Sequence, residues 1–370
     1  MRRACPVSCK DVMSSYEKYK EIITGQRRGA AAMTVRAVLQ SAAWLYDGVT
    51  SVRNLCIDSG LPSATKVDVP VISIGNLTTG GTGKTPLVAA VVRLLQTLNR
   101  RPGIVSRGYR ADSTGFNDEK RVLEHLCPGV PHVQNPDRLA AASEIIHNHL
   151  VDSIVLDDGF QHRRIARDLD IVLIDATNPF GYDFVLPRGL LRESVRGLRR
   201  ADAVLITRCD QVPAAELGSI EDRICSVAPR HRDRLVRVSF LPVRLRGIDG
   251  TAQPLPRIRK VPVMVLAAIG NPASFMETCR RAGANIIRSR FFPDHHHYAQ
   301  SDLIEVQAEA AAHRVESVVT TLKDIVKLRQ LGSRMNHTPG VPVFALETAT
   351  DFDSPEAEQS IRSMVSGVLS

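Results

Sequence analysis

Apolar positions recur with two periods along this chain. From Val35 they fall at Val35, Val38, Leu39, Ala42, Leu45, Tyr46, Val49, Val52 and Cys56. That spacing predicts an amphipathic helix, or two helices joined near Asp47-Gly48. Arg36, Arg53 and the single Trp44 accompany the stripe. The pattern fits a helix packed on its own domain and equally one lying in a membrane interface. Beyond it, short unbroken apolar runs alternate with helical stretches. Strands are predicted at Val69 to Ile74, Ile104 to Ser106, Ser153 to Leu156, Asp170 to Ile174 and Ala203 to Thr207. Helices are predicted from Lys84 to Leu98 and from Leu139 to Leu150. Continuous apolar runs, rather than alternation, mark parallel strands covered on both faces. The fold class is therefore α/β, with a doubly wound parallel sheet in the first part of the chain.

From about Arg230 to Lys260 arginines and prolines cluster, among them Pro242, Pro254 and Pro256, around a strand-like run at Leu235 to Phe240. Residues 229–260 are expected to form a linker or β-ribbon. A second, smaller α/β domain follows over 261–370. Its predicted strands are Val263 to Ala268, Ile286-Ile287 and Ser317 to Thr320; its predicted helices are Ser274 to Ala282 and Asp302 to His313. The other expected divisions are a disordered extension (or a late start) over 1–33, polar, basic and without an apolar h-region, the amphipathic membrane-associating helical segment 34–61, and the first α/β domain over 62–228. The folded protein is expected to begin near Met33. A length of 370 residues suits two domains.

Charge narrows the partners. Lys and Arg total 48 against 39 for Asp and Glu, a formal net charge of +9 that favours anionic partners. Only 5% of residues are aromatic, too few for base-stacking platforms. No helix-turn-helix, RNP or zinc-finger signature is present, so nucleic acid is not an expected partner. The seven cysteines are scattered without a CxxC pair. This pattern suggests neither a zinc site nor a disulfide framework, and fits a reducing cytoplasm. No run approaches the roughly 20 apolar residues of a bilayer span.

The chemistry concentrates at two places. The strand ending at Ile74 runs into Gly75-Asn-Leu-Thr-Thr-Gly-Gly-Thr-Gly-Lys-Thr85. A strand, a glycine-rich turn and a helix opening on Gly-Lys-Thr make a phosphate cradle. Gly80, Gly81, Thr82 and Gly83 offer backbone N–H groups, Lys84 reaches the β/γ-phosphates, and Thr85 supplies an oxygen to Mg²⁺. ATP and Mg²⁺ are the implied cofactors. Strict spacing would place glycine at Thr78. The strand Ser153 to Leu156 delivers Asp157 and Asp158, where a phosphate-loop enzyme keeps its second magnesium contact. One of the two is expected to reach Mg²⁺ and the other to order the loop. Asp137, between Pro136 and a helix, reads locally as an N-cap. Arg188, Arg192, Arg196, Arg199 and Arg200 read either as a solvated face or as a site for phosphate or anionic headgroups.

These segments carry a resemblance. Gly75 to Pro86, Ser106-Arg-Gly-Tyr109, Asp137-Arg138, Asp157-Asp-Gly-Phe-Gln-His162 and Arg167-Asp-Leu-Asp170 resemble the tetraacyldisaccharide 4'-kinase (lipid A 4'-kinase) family. So do Leu186-Pro-Arg-Gly-Leu-Leu-Arg-Glu193, Arg200-Ala-Asp202, Gly270-Asn-Pro272, Phe292-Pro-Asp-His295 and Thr321-Leu-Lys-Asp324. The resemblance runs from about Val35 to beyond Lys327. It implies a P-loop NTPase-like domain and a smaller α/β domain joined by a two-stranded linker, with the site between them. It implies transfer of the γ-phosphate of ATP to the 4'-hydroxyl of a tetraacyldisaccharide 1-phosphate. The enzyme would sit peripherally on the cytoplasmic face of the inner membrane, against an anionic surface, with no obligate protein partner. Asp137 would be the catalytic base, partnered by His295, and Glu193 would assist metal binding. Arg107, Gln161 and His162 would line the site with the nucleotide-binding residues. Two family segments differ here: Asp-Glu-Pro reads Asp118-Glu119-Lys120, and Arg-Glu-Pro reads Arg192-Glu193-Ser194. His296 and His297 follow His295. The rival reading is a membrane-associated partitioning or site-selection ATPase, which has a lysine just before the glycine pair; Thr79 stands there instead.

Overall fold

The structure is a computed structural model that describes residues 18–61, 63–108, 117–332 and 340–369. Six short parallel strands form its first half: β1 (Val71–Asn76), β2 (Pro102–Ser106), β3 (His132–Gln134), β4 (Ser153–Asp157), β5 (Leu169–Asp175) and β6 (Ala203–Thr207). With the start of β7 (Leu235–Gly247) they run in the order β7-β6-β5-β1-β4-β2-β3. Every residue of β1 and β5 is buried. Alternate side chains serve opposite faces. Ile171 and Leu173 meet the helix Lys84–Thr97, and Val172 and Ile174 pack with Leu198 and Ile220. This is why the runs read as continuously apolar. β1 lies at the switch point of the order, between β4 and β5, where α/β sheets place ligands beyond the strand ends.

The second half holds β8 (Ala252–Gln253), β9 (Pro262–Ala267), β10 (Asn285–Phe291), β11 (Ser317–Thr320) and β12 (Val343–Phe352). All twelve strands belong to one sheet. β7 joins the halves. It pairs in parallel with β6 over Leu235–Val238, then antiparallel with β12 from Val238 to Gly247. The stretch expected as a linker or ribbon holds β7 paired antiparallel with the short β8, Leu245 opposite Gln253 and Arg246 opposite Ala252, and β7 takes a second antiparallel partner from 343–352. The chain end also departs from the expected division at 261–370. Ile361 and Val365 of the helix Pro355–Gly367 pack in the first half's core with Leu87, Val91 and Val238. After β12 the chain has crossed back, and its apolar stripe is buried there.

Order also begins before Met33, which corrects the expected boundary. Residues 18–23 are helical, and Ile23 is buried. The Tyr19 hydroxyl donates to the Pro187 carbonyl at 2.7 Å, and Arg188 donates to the Ile23 carbonyl at 2.7 Å. Side chain to backbone bonds hold this stretch, so no apolar stripe announces it. Residues 1–17 lie outside the described part. The helix Ala30–Asp58 then runs unbroken through Asp47-Gly48. It buries only Ala32, Ala43 and Thr50, and leaves Val38 63%, Leu45 73% and Val49 62% exposed. Among the described residues no helix is long and apolar enough to cross a membrane.

Candidate active site

The glycine loop leaves β1 and closes onto the helix Lys84–Thr97. Gly80 (φ 116°) and Gly83 (φ 89°) take left-handed conformations that suit glycine. Gly83 also lies against Phe240, where an added Cβ would clash with two ring carbons. Gly83→Ala is therefore expected to combine backbone strain with a clash and to cost at least about 2 kcal/mol. Urea unfolding of the variant measures it, and an unchanged midpoint would contradict this packing. Thr207 Oγ1 donates to the Thr82 carbonyl at 2.9 Å, and Arg208 donates to the Gly81 carbonyl at 2.7 Å. Thr78, at the position where strict spacing asks for glycine, bridges to Leu191. The Thr79 N–H donates to the Leu190 carbonyl at 2.8 Å. The longer loop is thus braced against 190–191.

Lys84 sits at the head of its helix, 3.2 Å from Asn76 Oδ1 and 3.4 Å from Asp158 Oδ1. The two strand-end carboxylates differ sharply. Asp158 is in the left-handed region (φ 58°) and accepts from Arg192 with both oxygens at 2.9 Å. Burial works to raise its pKa, but Lys84 and Arg192 hold it well below the usual carboxylate range. Asp157 is buried, and its Oδ1 has no partner among the described residues. Burial above all, then Glu119 and, more weakly, Asp158, push its pKa up to about 7 against the pull of Lys84. An unpartnered buried carboxylate oxygen beside the phosphate loop fits a cation shared with nucleotide phosphates.

The expected site residues after β4 form a brace. Gln161 donates to the Asn76 carbonyl at 2.9 Å and to Glu193 Oε1 at 3.0 Å. Arg200 donates to both Glu193 oxygens at 2.7 Å, and Asn54 donates to Oε2 at 3.1 Å. Glu193 was expected near a metal. Both its oxygens are instead engaged by side chains, an arrangement that steadies Gln161 and the loop. Tyr46 of the Ala30–Asp58 helix donates to the Arg192 carbonyl at 2.9 Å. His162 Nε2 is buried without a partner among the described residues. Burial, then Arg138 and Arg167, push its pKa down to about 4. Arg107 is exposed at the end of β2, and its charge acts on Arg138.

Asp137 caps the helix Arg138–His149, accepting from the N–H groups of Leu139 at 3.0 Å and Ala140 at 3.3 Å. The cap uses Oδ1 and leaves Oδ2 without a partner among the described residues. No ion pair joins Asp137 to His295 in this conformation. The His295 imidazole lies 3.6 Å from Asp118 Oδ2 instead. The three histidines separate cleanly. His295 faces Asp118, His296 bonds Asp302 at 2.8 Å and stacks on Phe292, and His297 is exposed.

A family model described as tetraacyldisaccharide-1-P 4'-kinase matches residues 35–366. The chain belongs to this family. Among relatives, "Tetraacyldisaccharide 4'-kinase" of Geobacter sulfurreducens is 35% identical over 350 residues, covering 90% of this chain and 94% of the relative. That of Bdellovibrio bacteriovorus is 34% identical over 315 residues, covering 80% and 91%. The fold matches LpxK from Aquifex aeolicus, solved in complex with ATP, with a TM-score of 0.69 and 24% identity over 91% of this chain and 100% of that one.

In this tetraacyldisaccharide-1-P 4'-kinase family member, residues to which the motifs gave no role meet between the halves. Asp175 pairs with Arg208, and Asn271 from the second half bonds Thr177 at 2.9 Å. The helix Asp118–Leu126 presents Asp118 to Lys327 at 2.8 Å and Glu119 to Lys323 at 3.0 Å. Asp118 and Glu119 stand in the altered Asp-Glu-Lys segment. The family segment draws notice to this stretch, but acidic residues in a helix's first turn ordinarily mean dipole compensation, so neither receives a role there.

Proposed function

We propose that this protein transfers the γ-phosphate of ATP to the 4'-hydroxyl of a tetraacyldisaccharide 1-phosphate. The observation that carries the reading is Lys84, at the head of its helix, set against Asp157 and Asp158 at the end of the adjacent strand. It stands in a chain matched by the family model over 35–366. In this reading the N–H groups of Gly80, Gly81, Thr82 and Gly83 cradle the phosphates and Lys84 neutralises them. Thr85 and Asp157 would hold Mg²⁺, which when bound neutralises charge on the β- and γ-phosphate oxygens. Asp137 takes the proton of the 4'-hydroxyl as its oxygen bonds the γ-phosphorus; the bond to the β-phosphate oxygen breaks and ADP leaves. In this reading His295 partners Asp137 from the second half when the halves close, leaving its present place beside Asp118. Arg107, Gln161 and His162 line the site. Purified protein incubated with Mg·ATP and a tetraacyldisaccharide 1-phosphate should yield a lipid heavier by one phosphate, bearing it at the 4'-position. ATP hydrolysis without lipid phosphorylation would overturn the reading.

The acceptor is acylated, so the protein works at a lipid surface, and we place it peripherally on the cytoplasmic face of the inner membrane. Val38, Leu45, Val49 and Val52 form an exposed apolar stripe on a helix rooted in the site through Tyr46 and Asn54. Deleting the helix would disturb Arg192 and Glu193, so substitution is the cleaner test. Leu45→Glu with Val49→Glu should weaken sedimentation with phosphatidylglycerol-containing vesicles at least about tenfold. Undiminished sedimentation would show that this stripe is not the contact.

A further inference from the structure

The helix Leu322–Gly332 is fixed at its start more firmly than ordinary capping requires. Asp324 is fully buried. Its Oδ2 accepts from Thr321 Oγ1 at 2.7 Å and from the Ala268 N–H at the end of β9 at 3.1 Å. The Asp324 N–H returns to Thr321 Oγ1 at 3.1 Å. The next residue outward, Lys323, is thereby presented from a rigid turn. Its ammonium meets Glu119 Oε1 at 3.0 Å, the one partner it has among the described residues. Neither side chain is sealed in: Lys323 keeps 22% and Glu119 31% of its side-chain surface exposed. This pair bridges the two halves.

The phosphate loop lies at the same junction. The second half touches that loop directly, since a Cβ added to Gly270 would lie 3.2 Å from the Gly81 nitrogen and 3.3 Å from Asp294 Oδ2. Glu119 feels Lys323 most strongly and Lys84 after burial, and it adds to the upward push on Asp157. Lys323 in turn feels Asp294 and Asp157. Glu119 is thus a carboxylate standing in the field of two lysines, one from each half, where nucleotide phosphates belong in the proposed reading.

We propose that Lys323 is a second phosphate-directed cation, presented from the second half to the γ-phosphate and neutralised by Glu119 until nucleotide arrives. This rests on the kinase reading above. A γ-phosphate carries more charge than a lone carboxylate and competes for the ammonium. A cation delivered by the opposite half neutralises the transferring group and ties cleft geometry to nucleotide occupancy. A lysine suits the task as a compact charge with three donors, of which Glu119 uses one.

Titration calorimetry with Mg·AMP-PNP and Mg·ADP on the full chain tests it. Wild type should bind the triphosphate analogue at least about tenfold more tightly than ADP, the worth of one charge-assisted hydrogen bond. Lys323→Met should erase that preference and leave ADP affinity within about twofold, because ADP's phosphates lie with Lys84 and the loop. Lys323→Arg, which keeps the charge, should retain the preference. Glu119→Gln should tighten the analogue severalfold by removing the competitor. A wild-type ratio in Lys323→Met would overturn the proposal. So would equal weakening of both nucleotides in Lys323→Met and Glu119→Gln, the mark of a purely structural ion pair. Wild type that binds neither nucleotide would overturn the kinase reading itself.

Discussion

Lys84→Ala is expected to reduce phosphate transfer by about 10³-fold or more, on the scale of losing a cation aimed at a transferring phosphoryl group. Lys84 is the positive charge at the helix head, where the glycine loop directs its N–H groups. The fold should survive its removal. Asp158 keeps both oxygens on Arg192 at 2.9 Å, and Asn76 still donates to the Thr78 carbonyl at 2.7 Å. The helix itself gains, since alanine is the best helix former. Loss of turnover with an unchanged thermal midpoint is the expected pair of results. Steady-state rates of 4'-phosphorylation and a thermal melt check both. A folded variant that keeps most of the wild-type rate would remove the phosphate loop from the chemistry.

The first half of the fold was legible because its signals are local. Unbroken runs such as Leu169–Asp175 and Ala203–Thr207 are strands buried on both faces, and the apolar stripe of the helix Lys84–Thr97 follows β1 directly. What escaped was structure settled by distant partners. β12 alternates less clearly and is held by β7, about a hundred residues earlier in the chain. Glu347 within it is buried, a poor omen for a strand until His125, Arg244 and Arg246 are seen around it. The helix Pro355–Gly367 shows an amphipathic pattern, but nothing local says that its stripe belongs to the first half's core. Residues 18–23 are held by the Pro187 carbonyl and by Arg188, contacts with no sequence pattern at all.

The site divides the same way. Gly-Lys-Thr and Asp157-Asp158 were readable because a phosphate cradle needs those residues at that spacing. Their separate tasks were not. Only the left-handed turn at Asp158 shows that it swings to Lys84 and Arg192 while Asp157 stays inside. Lys323 and Glu119 each stand in a segment noted for the resemblance, but as a pair they were unreadable, since 204 positions separate them. The bulge in β10 and the exposed Ile287 belong to a sheet edge and have no evident part in the site.

Asp137→Asn is the sharper test of the base, because asparagine caps a helix about as well as aspartate. Oδ1 of either side chain can accept from the Leu139 and Ala140 N–H groups, so the helix Arg138–His149 keeps its start. Asp137→Ala would instead add about 1 kcal/mol of lost capping and blur the outcome. General base assistance is typically worth about 10²–10⁴-fold, and the Asn variant should lose turnover in that range. Nucleotide affinity should hold, since the proposed phosphate contacts lie with Lys84 and the glycine loop. His295 enters from the opposite half and here faces Asp118 rather than Asp137. If closing the cleft brings it to the base, His295→Ala should lose less than Asp137→Asn, and the double variant should be little worse than Asp137→Asn alone, because residues acting as one unit are non-additive. Steady-state kinetics on the two single variants and the double, with nucleotide binding measured separately, decides it. Losses that multiply would mean that His295 serves Asp118 and the cleft rather than the base. Unchanged turnover in Asp137→Asn would leave this aspartate a helix cap and nothing more.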